Sequence, residues 1–299
     1  MTEFLKGQVV AGLSGIDLDF DVLELGRGLR IQKTYAHLMA PYMMAFTPAP
    51  PGGHHPAPWK AARGGFGFDV TAELVVPEDF ESTLWESRLD LIRWIVALIR
   101  LWATPRVTVP VVSDLPFEKA AKAADEAVTL IPYEVLPRGI VLQVPEEGSL
   151  SRERLLWVVE QWESGATLTR NAAFHLAVEA LDQAHFQRDS NLALVSTWAA
   201  IEGLFSPGKA ELRFRVSALL ASYLRPHGSE RRALQKRLQK LYDSRSSAAH
   251  GKGRPDSDAL VGTMQTLREA MIKMISEGHV PSHDDLDALL LGKDGDGDV

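Results

Sequence analysis

The sequence predicts an α+β segment over residues 1–148 followed by an all-α helical bundle over residues 149–278. Three observations carry this. Apolar residues in the first half fall mostly in short or period-two runs. From about residue 149 the period becomes helical and stays so. A Pro-Glu-Glu-Gly run at 145–148 stands between the two patterns. At 299 residues the chain is long enough for two ordinary domains. Residues 279–299, ending KDGDGDV, read as an acidic, disordered tail.

In chain order, Ile16, Leu18, Phe20 and Val22 alternate with Asp17, Asp19 and Asp21, the pattern of a half-buried strand. GLRIQKTY is its hairpin partner across Gly26 to Gly28. The Asp-x-Asp-x-Asp spacing is not a calcium loop, because Val22 and Gly28 occupy the positions that need Gly and Glu. Residues 47–67, dense in Pro and Gly, read as a loop. Its adjacent His54 and His55 diverge in an extended chain and do not share a metal. FDVTAELVV follows as a strand. Residues 84–102 form a helix whose polar residues, Glu86, Asp90, Arg93 and Arg100, keep to one narrow stripe, so it reads as a buried helix and not a membrane span. RVTVPVV reads as a strand, 117–127 as an Ala-rich helix, and AVTLIPYEVLP and GIVLQVP as strands. Helices are then expected over 151–162, from near 169, over NLALVSTWAAIEGLF, and over 209–224, 229–250 and 257–276.

With no cysteine, thiolate metal sites, disulfide scaffolds and cysteine nucleophiles are excluded. The first residues lack a charged segment followed by a long apolar run, so a cytoplasmic protein is expected. The net charge of −7 is unevenly spread. Residues 206–255 hold twelve Lys and Arg against three acids. A local excess of this kind is either a solvated or internally paired face, or a surface for a polyanion.

Inside that excess lie Arg245 and His250. Arg30 with His37 and Arg170 with His175 have comparable spacing, so spacing alone selects nothing. On a straight helix five steps of about 100° leave such side chains about 140° apart. Gly251, Gly253 and Pro255 mark a helix end that lets His250 turn back, whereas Arg170 and His175 sit in an uninterrupted helical pattern.

The runs WAAIEGLF, KAELRFRVSALLASYL and KRLQKLYDSRSSAAHG, in this order, resemble the ApeA-like HEPN domain of bacterial anti-phage proteins over residues 169–278. The resemblance implies a homodimer through the helical domain and a metal-independent endoribonuclease, without cofactor, whose R-x4-6-H residues are Arg245 and His250. Ser246 stands where active members often carry Asn, Asp or His, and its hydroxyl offers fewer hydrogen bonds. In this chemistry His250, with an ordinary pKa near 6.5, moves a proton at the ribose 2′-hydroxyl or the leaving 5′-oxygen. Arg245 holds the phosphate and stabilises the charge that grows there. The requirement for a 2′-hydroxyl selects RNA. Ser246 and Tyr242 would support the site, and Glu202 is either a partner for a basic residue or a site member. Lys209, Arg213, Arg237, Lys240, Lys252 and Arg254 would contact RNA. The first domain would sense a protein or ligand trigger. The alternative is a non-catalytic module that binds RNA, a nucleotide or a protein partner.

Overall fold

A computed structural model describes residues 7–125, 127–135, 149–205, 211–250 and 257–292. Strands β1 (Val9–Ser14), β2 (Val22–Gly26), β3 (Leu29–Ala45), β4 (Trp59–Val76), β5 (Thr108–Ser113) and β6 (Leu130–Pro132) form one sheet in the order β2-β3-β4-β1-β5-β6. Every pairing is antiparallel. Helix α1 (Arg88–Leu98) runs into a π-helical turn (Ile99–Ala103), and α2 (Phe117–Ala120) is a single turn. The helical part comprises α3 (Arg152–Ala166), α4 (Ala172–Ala184), α5 (Ser190–Phe205), α6 (Leu212–Leu224), α7 (Ser229–Ala249), α8 (Ser257–Glu277) and α9 (His283–Leu291). No helix among the described residues is long and apolar enough to cross a membrane.

Strand β1 is apolar on both sides because both sheet faces are covered. Val9, Ala11 and Leu13 pack toward the helices, while Val10 packs with Val111 and Phe117 of α2. The β2–β3 turn forms where expected, with positive φ at Gly26, Arg27 and Gly28. The strand before it is displaced, however. Ile16 and Leu18 are buried as expected and Leu18 forms an isolated parallel bridge with Leu150, but β2 itself begins only at Val22, which is exposed, and turns Leu23 and Leu25 to the core.

Three polar residues of the stripe have partners that explain them. Asp90 closes a capping box with Ser87. Arg93 reaches Glu179 of α4 at 3.0 Å. Arg100, 4% exposed, contacts Glu134 at 2.5 Å and Asp182 of α4 at 2.7 Å, and donates to the Val107 carbonyl. Further bonds cross between the sheet and helical parts. Trp94 donates to the Trp162 carbonyl, Trp162 to that of Leu25, and Arg268 to those of Leu101 and Trp102. A single core cluster accordingly runs from Val9 to Leu286. The expected boundary at 145–148 and the expected strand GIVLQVP lie outside the described residues.

Four further expectations are corrected. The loop at 47–67 is shorter, since residues 59–67 belong to β4 and β3 continues to Ala45. The glycines that suggested a loop lie under cross-strand rings instead: Tyr42 covers Gly64, and His37 covers Gly67. The Ala-rich helix is limited to Phe117–Ala120, because most of 118–125 is exposed and buries no apolar face. Arg170 and His175 do not share one helix, since Thr167–Arg170 is a 3-10 turn and Asn171 caps α4 by accepting from Ala173 and Phe174. The tail contains α9, started by a Ser282–Asp285 capping box and anchored by buried Leu286; residues 293–299 lie outside the described residues.

Replacing Arg100 with Met leaves two partly buried carboxylates facing each other, and urea denaturation should show a loss of about 3–5 kcal/mol. An unchanged denaturation midpoint would show that Arg100 does not bind the two halves.

Candidate nucleic-acid interface

Helix α7 is rich in Arg, Lys, Gln, Leu and Ala, which lose little freedom in a helix. Its apolar residues recur every three or four positions, so Leu238, Leu241 and Ala248 are buried, with Leu234 and Tyr242 beside them. The opposite side is left to charge. Arg232, Lys236, Arg237 and Lys240 are all exposed, as is Arg215 on neighbouring α6. Arg232, Lys236 and Lys240 follow the four-residue step that keeps side chains on one stripe, about 6 Å apart along the axis. None of these five cations forms an ion pair with a described residue. Arg213 does, meeting Asp243 at 2.7 Å. Arg237 lies over α8, where its Nη2 would come within 3.2 Å of a Cβ placed on Gly262.

The helix ends at His250, whose φ of −97° and ψ of 9° leave the helical range only slightly. The backbone at His250 thus departs little from the helical path. His250 is exposed and lies 18 positions, about five turns, beyond Arg232, over the same basic stripe.

Arg245 points the other way, onto α5. Its Nη2 lies 3.2 Å from Glu202 Oε1 and donates to Oε2 at 3.4 Å. Both side chains are mostly buried, 26% and 19% exposed. The Arg245 guanidinium lies 5.5 Å from the Tyr242 ring centre, and Tyr242 meets buried Trp198 edge-on at 5.1 Å. Burial raises the Tyr242 phenol pKa, and the Glu202 carboxylate adds to the rise. Three atoms in this cluster, Trp198 Nε1, Glu202 Oε1 and Arg245 Nε, are buried without a hydrogen bond among the described residues. Oε1 has the ionic contact with Arg245 but not a hydrogen bond.

The structure thus joins Tyr242, Arg245 and Glu202, and among the described residues no hydrogen bond or ion pair links His250 to them. Ser246 is half-buried and makes no hydrogen bond to another described residue. Lys209, Lys252, Arg254 and Gly251 lie outside the described residues. Of the expected RNA contacts, Arg237 and Lys240 are exposed and form no ion pair with a described residue, while Arg213 is engaged by Asp243. Arg215, Arg232 and Lys236 join the surface without having been singled out as contacts; the four-residue step back from Lys240 could have found two of them.

The other Arg and His pairs behave differently. On β3, Arg30 bonds Gln32 while His37 faces Asp69 at 2.8 Å. Arg170 and His175 both line a cleft of about 540 Å³ with Arg93, Glu179 and Trp85.

Comparisons with protein-family models, curated proteins and solved structures find no match for this chain.

In a double-mutant cycle, Arg245→Ala and Glu202→Ala should couple by about 1–3 kcal/mol, since either change alone strands a buried charge. Glu202→Gln should also bring one tyrosine titration down toward the ordinary value, read from phenolate absorbance. Additive losses and an unmoved titration would remove Glu202 from this cluster.

Proposed function

We propose that the outer face of α7, with Arg215 of α6, binds RNA. The observation that carries this reading is the set of five exposed cations, none ion-paired with a described residue, on a chain whose net charge is −7. Charges that pair inside the protein gain their Coulomb energy there. Charges left unpaired in a row release counterions from a nucleic-acid backbone when they meet it. The internally paired alternative accounts for Arg213 but not for this row. RNA, and not DNA, is chosen because the helical part resembles an ApeA-like HEPN domain.

A second reading, metal-independent endoribonuclease activity of HEPN type, is favoured by the position of His250. It stands exposed at the end of the basic stripe, where a phosphodiester tracking along the stripe would reach it. In that reaction the ribose 2′-oxygen attacks phosphorus and the bond to the 5′-oxygen breaks. His250 moves the proton at one of these oxygens as general acid or base, and Arg245 stabilises the phosphate. Within one chain Arg245 faces Glu202, so the catalytic reading calls for a homodimer in which Arg245 and His250 reach one phosphate from different copies.

Fluorescence anisotropy with single-stranded RNA should show affinity falling steeply with salt. Lys236→Glu with Lys240→Glu should weaken binding at least about tenfold and reduce the salt slope by about 2. Unchanged affinity would overturn the binding surface. If the chain is a nuclease, cleavage should survive EDTA and His250→Ala should abolish it while leaving binding intact. Cleavage that persists in both His250→Ala and Arg245→Ala would remove those residues from catalysis.

A further inference from the structure

The sheet has an unusual extension. Strand β2 pairs with β3 only as far as Gln32, and β1 pairs with β4 only between Ala72 and Val76. Beyond these points β3 and β4 pair solely with each other, from Ala36 opposite Val70 to Ala45 opposite Trp59. The result is a two-stranded arm closed at its tip, where His55 contacts the Thr47 carbonyl and Trp59 donates to that of His55. A two-stranded ribbon is marginal in water unless an apolar face is covered.

This arm has apolar surface to cover. Seven of the sixteen exposed large hydrophobic side chains among the described residues lie on its strands, at its base or at its tip. Tyr35 is 71% exposed, Met39 70%, Phe46 60%, and Tyr42 and Trp59 57% each. The others, such as Leu156, Leu192 and Phe214, are scattered over several helices, as is normal for any surface. Side chains alternate across a strand, so Tyr35, Met39 and Met43, with Trp59 opposite Ala45, share one face of the arm, and Tyr42, Met44 and Phe46 the other. With each large side chain offering roughly 150–250 Å², the exposed part of the first face amounts to about 500 Å². Two such faces together bury about 1,000 Å², the lower bound for a specific protein interface. Between residues 33 and 70 the charged residues are only Lys33, Lys60, Arg63 and Asp69. A phosphate backbone would find little there, and two such surfaces repel weakly.

We infer that the arm docks against the arm of a second copy of this chain. An identical patch is self-complementary about a two-fold axis, and the face contains both halves of a favourable contact, thioethers at Met39 and Met43 and rings at Tyr35 and Trp59. Packing is face to face. Pro41 on β3 and the glycines at 64 and 65 on β4 make both arm edges poor templates for a further strand. This surface lies on the sheet, away from α7, and does not depend on the RNA-binding reading.

The test uses the full chain. Light scattering after gel filtration should give twice the 32.9 kDa chain mass, and Met39→Glu with Met43→Glu should halve the measured mass while circular dichroism stays unchanged. Because the chain has no cysteine, Met39→Cys provides a second reading: a short bismaleimide should link two Met39→Cys chains, while Leu192→Cys chains remain unlinked. A monomeric wild type overturns the inference. So does a mass that the glutamates leave unchanged, or equal linking at the two cysteines. Loss of RNA binding in the glutamate variant without a change in mass would assign the arm to RNA instead.

Discussion

The guanidinium of Arg100 is the constraint on which the architecture depends. It lies almost fully buried where α1 becomes a π-helical turn, and it meets one carboxylate beside the sheet and another on α4. A buried charge of this kind is tolerated only when its partners are in place. The position of α4 relative to the sheet is thereby fixed, and α5, packed on α4, takes its place in turn. Trp94, Trp162 and Arg268 add bonds across the same seam, and one core results.

The chemistry of α7 follows from its place at the edge of that core. Its inner side packs against α5, α6 and α8 through Leu238, Leu241 and Ala248. Arg245 falls on this inner side and becomes the counterion of Glu202, a carboxylate that would otherwise sit mostly buried and unpaired on an apolar helix. The same guanidinium cannot fully satisfy a carboxylate and a phosphate together. Binding of a polyanion therefore rests on the outer stripe, and Arg245 first serves to hold α7 on α5.

Much of this was legible in the sequence. Period-two alternation and the glycines of the first turn located the β2–β3 hairpin, with Ile16 and Leu18 buried as expected, although the inward residues of β2 itself proved to be Leu23 and Leu25. Helical spacing located the long helices, and Ser151 was readable as a cap. The arm was hidden because its glycines resemble loop signals, and only cross-strand pairing reveals that Tyr42 and His37 cover them. The short helix α9 was hidden by the acidic composition around Leu286. At the site, the charge excess could be read directly, whereas the glycines after His250 suggested a return toward Arg245 that straight-helix geometry alone would not give. The contact between Arg245 and Glu202 could not be read, because it joins residues 43 positions apart on separate helices.

Lysine acetylation footprinting of the full chain, with and without single-stranded RNA, is the most direct test of the central claim. Lys236 and Lys240 should become protected while Lys119 and Lys122, exposed beside α2, react as before. Protection that is equal at all four lysines, or absent from Lys236 and Lys240, would contradict the assignment of α7 as the RNA-binding face.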